Sequence, residues 1–510
     1  MTDPPPPAVT AGASRAAWGA AAIALGLGLL VRVALLEDKP FWTDEARAAI
    51  EVEAPLRTTN IPLPVGFVAL VKAVAWLCPW PPPEVKYRLV SLGAGLAALA
   101  LLPLLARRLG ASVGACLTSL WLAAGLPALV YYSRELKSYS IDLLLAVVVP
   151  LLAHVIVTGD ARRRGAWPGL LFLLVTAPWV SFGGLFPIAA TLAWAALRTW
   201  RQPAERRAWE GAALAWLASQ AAAYVLVVQR QAANPGTMDM WRRQINHVFP
   251  GPMTLAELFV APHATAVTYL FQRGWPLVVL LAGVGLAAWS GRGRSLLLWL
   301  WLGAAALATL AAVGNLYLVR QGRMVLFLAP PIVLLVGAGL DRLGVLLPGR
   351  WRLVAPALAA ALSVWWSVSA VRLRLSGDDT PFARFFLDDV RDDVEPFIAY
   401  LEQSGVPGED VMATRTVGWP FTYYARDRLA GATVCTARRC PDQASDMGRW
   451  LATLSSRPGW MITTSREAKL NRRILKRQGF VPREEASARG TRLWRVVRRE
   501  RPAPRARARE

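Results

Sequence analysis

Two adjacent carboxylates stand in Phe41-Trp42-Thr43-Asp44-Glu45-Ala46-Arg47, just after a long apolar run. A carboxylate is ionised at neutral pH and can take the proton of an attacking hydroxyl. The same pair can also be a solvated helix cap, and the pair alone does not choose between the two. A second group is Tyr131-Tyr132-Ser133-Arg134-Glu135-Leu136-Lys137-Ser138-Tyr139, wedged between two apolar runs. Arg134 and Lys137 there, beside Glu135 and the phenols of Tyr132 and Tyr139, suit a phosphate or a sugar. A third is Tyr317-Leu318-Val319-Arg320-Gln321-Gly322-Arg323, and Arg88 opens another run in Tyr87-Arg88-Leu89-Val90-Ser91. Arginine makes paired hydrogen bonds to phosphate oxygens and keeps its charge when partly desolvated, which points to a lipid phosphate. Snorkelling to lipid headgroups is the alternative, more so for Arg320 than for Arg323. The three histidines form no metal-binding set. His154 falls inside an apolar run as a packing residue, while His247 and His263 stand in a long loop where they could touch an acceptor.

The elements that must hold these groups are membrane helices. The chain has 510 residues, 55% of them hydrophobic, with a mean hydropathy of +0.36, although its last third is charged. Its apolar runs approach the roughly 20 residues a helix needs to cross a bilayer, and they are too long for the alternating strands of a closed barrel. The spans expected are approximately 16–36, 87–106, 112–131, 140–158, 167–180, 183–199, 211–229, 274–290, 295–313, 324–341 and 352–371, about eleven in all. The first lacks a small-residue cleavage pattern and reads as a retained anchor after a Pro-rich, disordered start at 1–15.

With that parse Arg107/Arg108, Arg162/Arg163/Arg164, Arg201/Arg206/Arg207, Arg292/Arg294 and Arg342/Arg350/Arg352 all fall on one side, which is therefore cytoplasmic. The amino terminus lies inside, and the loops 37–86, 132–139, 230–273 and 314–323 face out together with everything after about residue 372. Counting Ile61 to Trp80 as a span would invert this pattern; its prolines suit a short helix at the outer surface. Ionisable residues kept at the edge of a membrane core are functional candidates by default, and the three groups and Arg88 all lie on the outer side. The net charge of +23 reflects these loops and an Arg-rich end at 501–510, and it does not indicate a nucleic-acid partner.

Residues 373–500 read as a separate α/β domain outside the membrane. Val394 to Gln403 and Met447 to Leu454 have helical periodicity, and Asp410 to Thr414, Trp460 to Thr464 and Thr491 to Val497 resemble strands. No Gly-rich loop follows these strands to cradle a nucleotide phosphate. Cys435 and Cys440 are close enough in sequence for a small disulfide outside the cytoplasm, or are two free thiols.

Together the groups resemble the type C superfamily of polytopic glycosyltransferases, in the branch of protein O-mannosyltransferases and the aminoarabinose transferase acting on lipid A. The match rests on Trp42-Thr43-Asp44-Glu45-Ala46, Pro62-Leu63-Pro64, Arg88 with Ser91, Tyr132-Ser133-Arg134-Glu135-Leu136-Lys137-Ser138-Tyr139, and Arg323 ahead of a Pro-containing span; it covers roughly residues 16–370. The family's His before paired prolines is replaced by Ile61, and Leu63 separates the prolines.

The resemblance implies a multi-pass protein of the bacterial plasma membrane, acting in the cell envelope. It implies a sugar donor joined through one phosphate to a polyprenyl chain, and an acceptor hydroxyl on a lipid, glycan or protein at the outer face. Asp44 would be the base, with Glu45 and Glu135 supporting. Arg88, Lys137, Arg323 and Arg134 would hold the donor phosphate, with Tyr132, Tyr139 and Arg320 around the acceptor. No nucleotide or metal cofactor is needed, and a divalent ion is compatible with the acidic loop. Two other classes fit less well. A transporter of polyprenyl-linked sugars would carry inverted repeats and mid-membrane charge, and a noncatalytic scaffold would use the membrane region only as an anchor.

Overall fold

In a computed structural model the described residues are 11–34, 36, 40–55, 63–159, 163–229, 255–271, 275–289, 291–313, 317, 322–348, 353–376, 393–414, 417–434, 443–454, 458–488 and 491–498. Pro62, Arg320, His247, Cys435 and Cys440 lie outside them. The chain divides into two compact units, Met1–Glu37 with Pro55–Asp378, and Asp38–Ala54 with Asp379–Glu510.

The first unit is helical, as apolar chain must be where no water is present to satisfy its backbone. A helix lies in each of the eleven expected segments. Six are long and apolar enough to cross a membrane: Arg15–Ala34, Pro83–Arg108, Tyr139–Thr158, Pro203–Val228, Gly293–Val313 and Arg323–Val345. The bent pair Val260–Phe271 and Pro276–Ala288 makes a seventh if it is one span. The expected count of eleven is not reached on this measure, because the remaining four segments carry only short apolar helices within Val113–Gly125, Gly165–Val180, Leu185–Thr199 and Val354–Ser369. The 230–273 segment is also more than a loop, since Leu255–Phe271 is helical. Val65–Leu77 forms a helix of 13 residues, about 20 Å long at 1.5 Å per residue and shorter than a bilayer core.

One short helix has a visible cause. The expected span 112–131 breaks into Val113–Gly125 and Pro127–Tyr132 at Leu126, whose ψ of 119° is not helical. Pro127 has no N–H to give the Ala123 carbonyl. Arg32, 1% exposed, supplies the donors: Nη2 to Ala123 O at 3.2 Å, and Nη1 to Ala124 O and Gly28 O at 2.9 Å each. Elsewhere small residues bring the helices together, as is usual where lipid gives no hydrophobic drive between them. Gly285 lies against the Leu335 carbonyl and Gly339 against that of Leu281, so Trp275–Ala288 and Ala329–Val345 meet backbone to backbone.

The second unit is built on a five-stranded sheet, order β2-β1-β3-β5-β4, from Val411–Ala413 (β1), Thr433–Val434 (β2), Gly459–Thr464 (β3), Phe480–Ala488 (β4) and Thr491–Arg498 (β5). The first three are parallel and the last two antiparallel. The period of two sorts side chains to opposite faces. Val411, Ala413, Ile462 and Leu493 meet Phe397, Ile398 and Phe421 from the helices Glu395–Gln403 and Gly418–Ala425. Met412, Met461, Trp494 and Val496 meet Met447, Trp450 and Leu475 from Gln443–Thr453 and Ser465–Arg477. Arg428, in the turn after Gly418–Ala425, binds the helix Glu395–Gln403 at Glu402 through Nε and Nη2 (3.0 and 2.8 Å) and at Glu395 through Nη1 (2.6 Å). The unit's other segment is the acidic helix Thr43–Glu53, which packs on Gly418–Ala425.

Candidate functional site

In the membrane unit, the second sequence group is a tight connection between Pro127–Tyr132 and Tyr139–Thr158. Ser133 caps two carbonyls behind it, with Oγ donating to Leu129 O (2.9 Å) and Val130 O (2.8 Å), and Ser140 Oγ donates to Tyr132 O at 2.8 Å. The Lys137 N–H closes a three-residue turn on Glu135 O at 2.7 Å. These bonds leave Glu135 buried and Arg134, Lys137 and Tyr139 half-buried. Arg88, 1% exposed, sits at the start of Leu89–Arg108. One turn on, Ser91 Oγ donates to Lys137 O at 2.7 Å, so the structure brings the Arg88 helix and the Lys137 connection together. Gly95 allows the approach, since a Cβ there would strike Ser133.

Tyr132 is the aromatic centre of the group. Its ring lies edge-on to Tyr131 and Tyr139, at 4.9 and 5.2 Å between centroids, and its hydroxyl hydrogen-bonds the Tyr269 hydroxyl. Tyr269 comes from Leu255–Phe271 and was not among the residues expected from the sequence.

A second residue missed by the sequence reading is Asp142, 3% exposed, in the first turn of Tyr139–Thr158. Ser181 Oγ donates to its Oδ1, and the Gly183 and Gly184 N–H groups also bind it. Ser181 in turn accepts from Gly184 N–H at 2.8 Å. A Cβ on Gly183 would collide with Asp142 Oδ2 and stand 3.0 Å from Tyr317 Oη. Tyr317 donates to Met324 O at 2.6 Å and packs on Phe186 with centroids 4.6 Å apart. Burial first, and then the nearby charges of Asp142 and Tyr139, hold the Tyr317 phenol well above its ordinary pKa, so it remains a neutral donor. The helix that follows the second sequence group and Tyr317 of the third group therefore both reach Gly183. Arg323 follows Tyr317, half-buried, in the 3₁₀ segment Gly322–Leu328, which kinks at Val325.

Arg32, Leu99, Leu129, Leu143, Val147 and Val333 line a small cavity of about 20 Å³. Among the described residues no three His, Cys, Asp or Glu side chains are grouped so as to hold a metal ion.

Asp44 and Glu45 belong to the other unit, in the first turn of the acidic helix, where negative charge complements the helix dipole. Glu45 is fully buried and Asp44 only partly so. Beyond the first turn the buried face is mostly Ala46, Ala48, Ala49 and Val52.

No family model matches the chain, and no curated protein does. The crystal structure of ArnT from Cupriavidus metallidurans in the apo state superposes with a TM-score of 0.51 at 14% identity, covering 94% of this chain and 98% of that one. ArnT bound to undecaprenyl phosphate gives the same score and identity, over 95% of this chain and 98% of that one. The chain has the type C glycosyltransferase fold. At 14% identity this likeness is one of fold. The superposition spans nearly the whole chain, so it takes in the segments that carry Arg88, Lys137 and Arg323 as well as the sheet unit with the acidic helix.

Proposed function

We propose that the chain is a membrane glycosyltransferase that moves a sugar from a polyprenyl-monophosphate donor to an acceptor hydroxyl at the outer face of a bacterial plasma membrane. The observation that carries the reading is the meeting, in a chain of this fold, of the Arg88 helix and the Arg134–Lys137 connection, where Ser91 Oγ donates to Lys137 O, with Tyr317 of the third group beside Gly183 and Asp142. The undecaprenyl phosphate bound to the ArnT structure supports a donor of this class.

In the reaction the acceptor oxygen attacks the anomeric carbon while Asp44 takes its proton. The bond from that carbon to the phosphate oxygen breaks, and the polyprenyl phosphate departs with the bonding pair. Negative charge grows on that phosphate as the bond lengthens, so cations aimed at it stabilise the transition state more than the ground state. Arg88, Lys137, Arg134 and Arg323 have this role, and Glu135 keeps its neighbours in place. The aromatic group of Tyr132 and Tyr139 offers faces and hydroxyls to a sugar or acceptor.

The test is direct. Purified protein in lipid nanodiscs, given polyprenyl-phosphate-linked sugars and lysate-derived envelope acceptors, is expected to release free polyprenyl phosphate in step with glycosylated acceptor. Movement of intact donor across the bilayer of proteoliposomes with no such release would instead establish a transporter.

A further inference from the structure

The acidic helix Thr43–Glu53 has 11 residues, and its inward face beyond the first turn is mostly alanine. A helix this short is marginal by itself in water, and small side chains add little burial. Its geometry therefore depends on what holds it. One segment of the same unit, Trp419 to Arg426, contacts it at both ends and midway.

At the amino end, the Phe41 N–H donates to Tyr424 Oη at 2.9 Å. The Phe41 ring, fully buried, lies edge-on to Tyr423 (5.3 Å, 77°) and stacks along Tyr424 (6.5 Å, 29°). Midway, the Arg47 guanidinium lies 5.4 Å over the Trp419 ring. At the carboxyl end, Tyr423 Oη donates to Glu53 Oε1 at 3.1 Å and Arg426 Nη2 binds Glu53 Oε2 at 2.8 Å. A carboxylate in the last turn of a helix opposes the helix dipole. Glu53 is tolerated there because Arg426 neutralises it, and the Glu53 carboxylate in turn holds the Arg426 guanidinium above its usual pKa. Tyr423 touches both ends, with its ring on Phe41 and its hydroxyl on Glu53.

We propose that the C-terminal unit is the positioning device of the acidic helix: Tyr423, Tyr424 and Arg426 clamp its two ends and so fix the carboxylate of Asp44. They are positioning residues, since none is assigned a contact with donor or acceptor. The consequence for catalysis rests on Asp44 being the base; the clamp itself does not.

The experiment uses the full chain in nanodiscs. Hydrogen exchange of residues 43–53 is compared in the parent, Arg426→Ala, Tyr424→Phe and Arg426→Lys, with β3 as the control for folding. Loss of the charge-assisted bond is expected to speed exchange in the helix roughly tenfold in Arg426→Ala with β3 unchanged, and Arg426→Lys is expected to restore most of the protection. Transfer kinetics should show kcat falling with the same ranking while KM for the polyprenyl donor stays level. If Arg426→Ala also deprotects β3, Tyr424→Phe, which removes one hydroxyl and keeps the ring, decides by the same readout. Unchanged exchange of 43–53 in every variant with an intact β3 overturns the clamp. Faster exchange with no change in kcat supports the clamp and overturns its consequence for turnover, while the rate of Asp44→Asn tests the base itself, so the two readings fail separately.

Discussion

Burial separates the two adjacent carboxylates. Glu45 is fully enclosed, whereas Asp44 keeps part of its surface open. A general base has to reach the proton it removes, which favours the proposed roles of the open carboxylate as base and the enclosed one as support. Asp44→Asn is expected to insert normally and bind polyprenyl donor, with turnover lower by about a hundred- to ten-thousand-fold. Glu45→Gln should keep far more turnover. Rates at donor saturation check this, and a near-parent rate for Asp44→Asn would end the assignment. The carboxylate pair, the Arg134–Tyr139 group and Arg323 were legible because their residue types interrupt the apolar pattern at loop positions. Asp142 and Arg32 were not, because each lies within a run read as a span. A lone carboxylate in Tyr139-Ser140-Ile141-Asp142-Leu143 was nonetheless a signal, since a charge inside an apolar run is functional by default.

At the scale of elements, the working parts are joints between helices. Asp142 ties the start of Tyr139–Thr158 to the Ser181–Gly184 turn, and that turn adjoins Tyr317, which holds the backbone at Met324 next to Arg323. The closeness of this joint makes Gly183 its weakest point. Gly183→Ala would drive a methyl into Asp142 and onto the Tyr317 hydroxyl, and overpacking of this kind costs about 1–3 kcal/mol. The expected result is a lower thermal midpoint in detergent together with weaker donor binding, because the Arg323 segment shifts. Gly169→Ala, where a Cβ meets only Leu152 at 3.7 Å, should change neither. An effect on stability with unchanged donor binding would separate this joint from the phosphate site. In the sequence Pro127 is one proline in an apolar run, and the break within that span is visible only with Arg32 folded against the freed carbonyls.

For the whole molecule, sidedness follows from how many helices cross the membrane. Six to seven described helices qualify by length, and four apolar segments are short. If only the long ones crossed, Arg107/Arg108 and Arg162/Arg163/Arg164 would lie on opposite sides, since just one long helix, Tyr139–Thr158, separates them. The bias of Lys and Arg toward the cytoplasmic side argues against that arrangement. The short helices also reach further than their lengths suggest. Val113–Gly125 continues past the Leu126 break into Pro127–Tyr132, together about 20 residues, the length that covers a hydrocarbon core of roughly 30 Å when straight. Eleven crossings, an odd number, put the two termini on opposite faces, whereas six put them on the same face. With the amino terminus inside, the carboxyl terminus, and with it the sheet unit, is expected outside. A reporter that matures only in the periplasm, fused after Glu510, should therefore be active, and a cytoplasm-only reporter at the same position silent. The opposite pattern would mean that an odd number of the short helices fail to cross, and the shared sidedness of the Arg88, Arg134–Tyr139 and Arg323 groups would be lost with them.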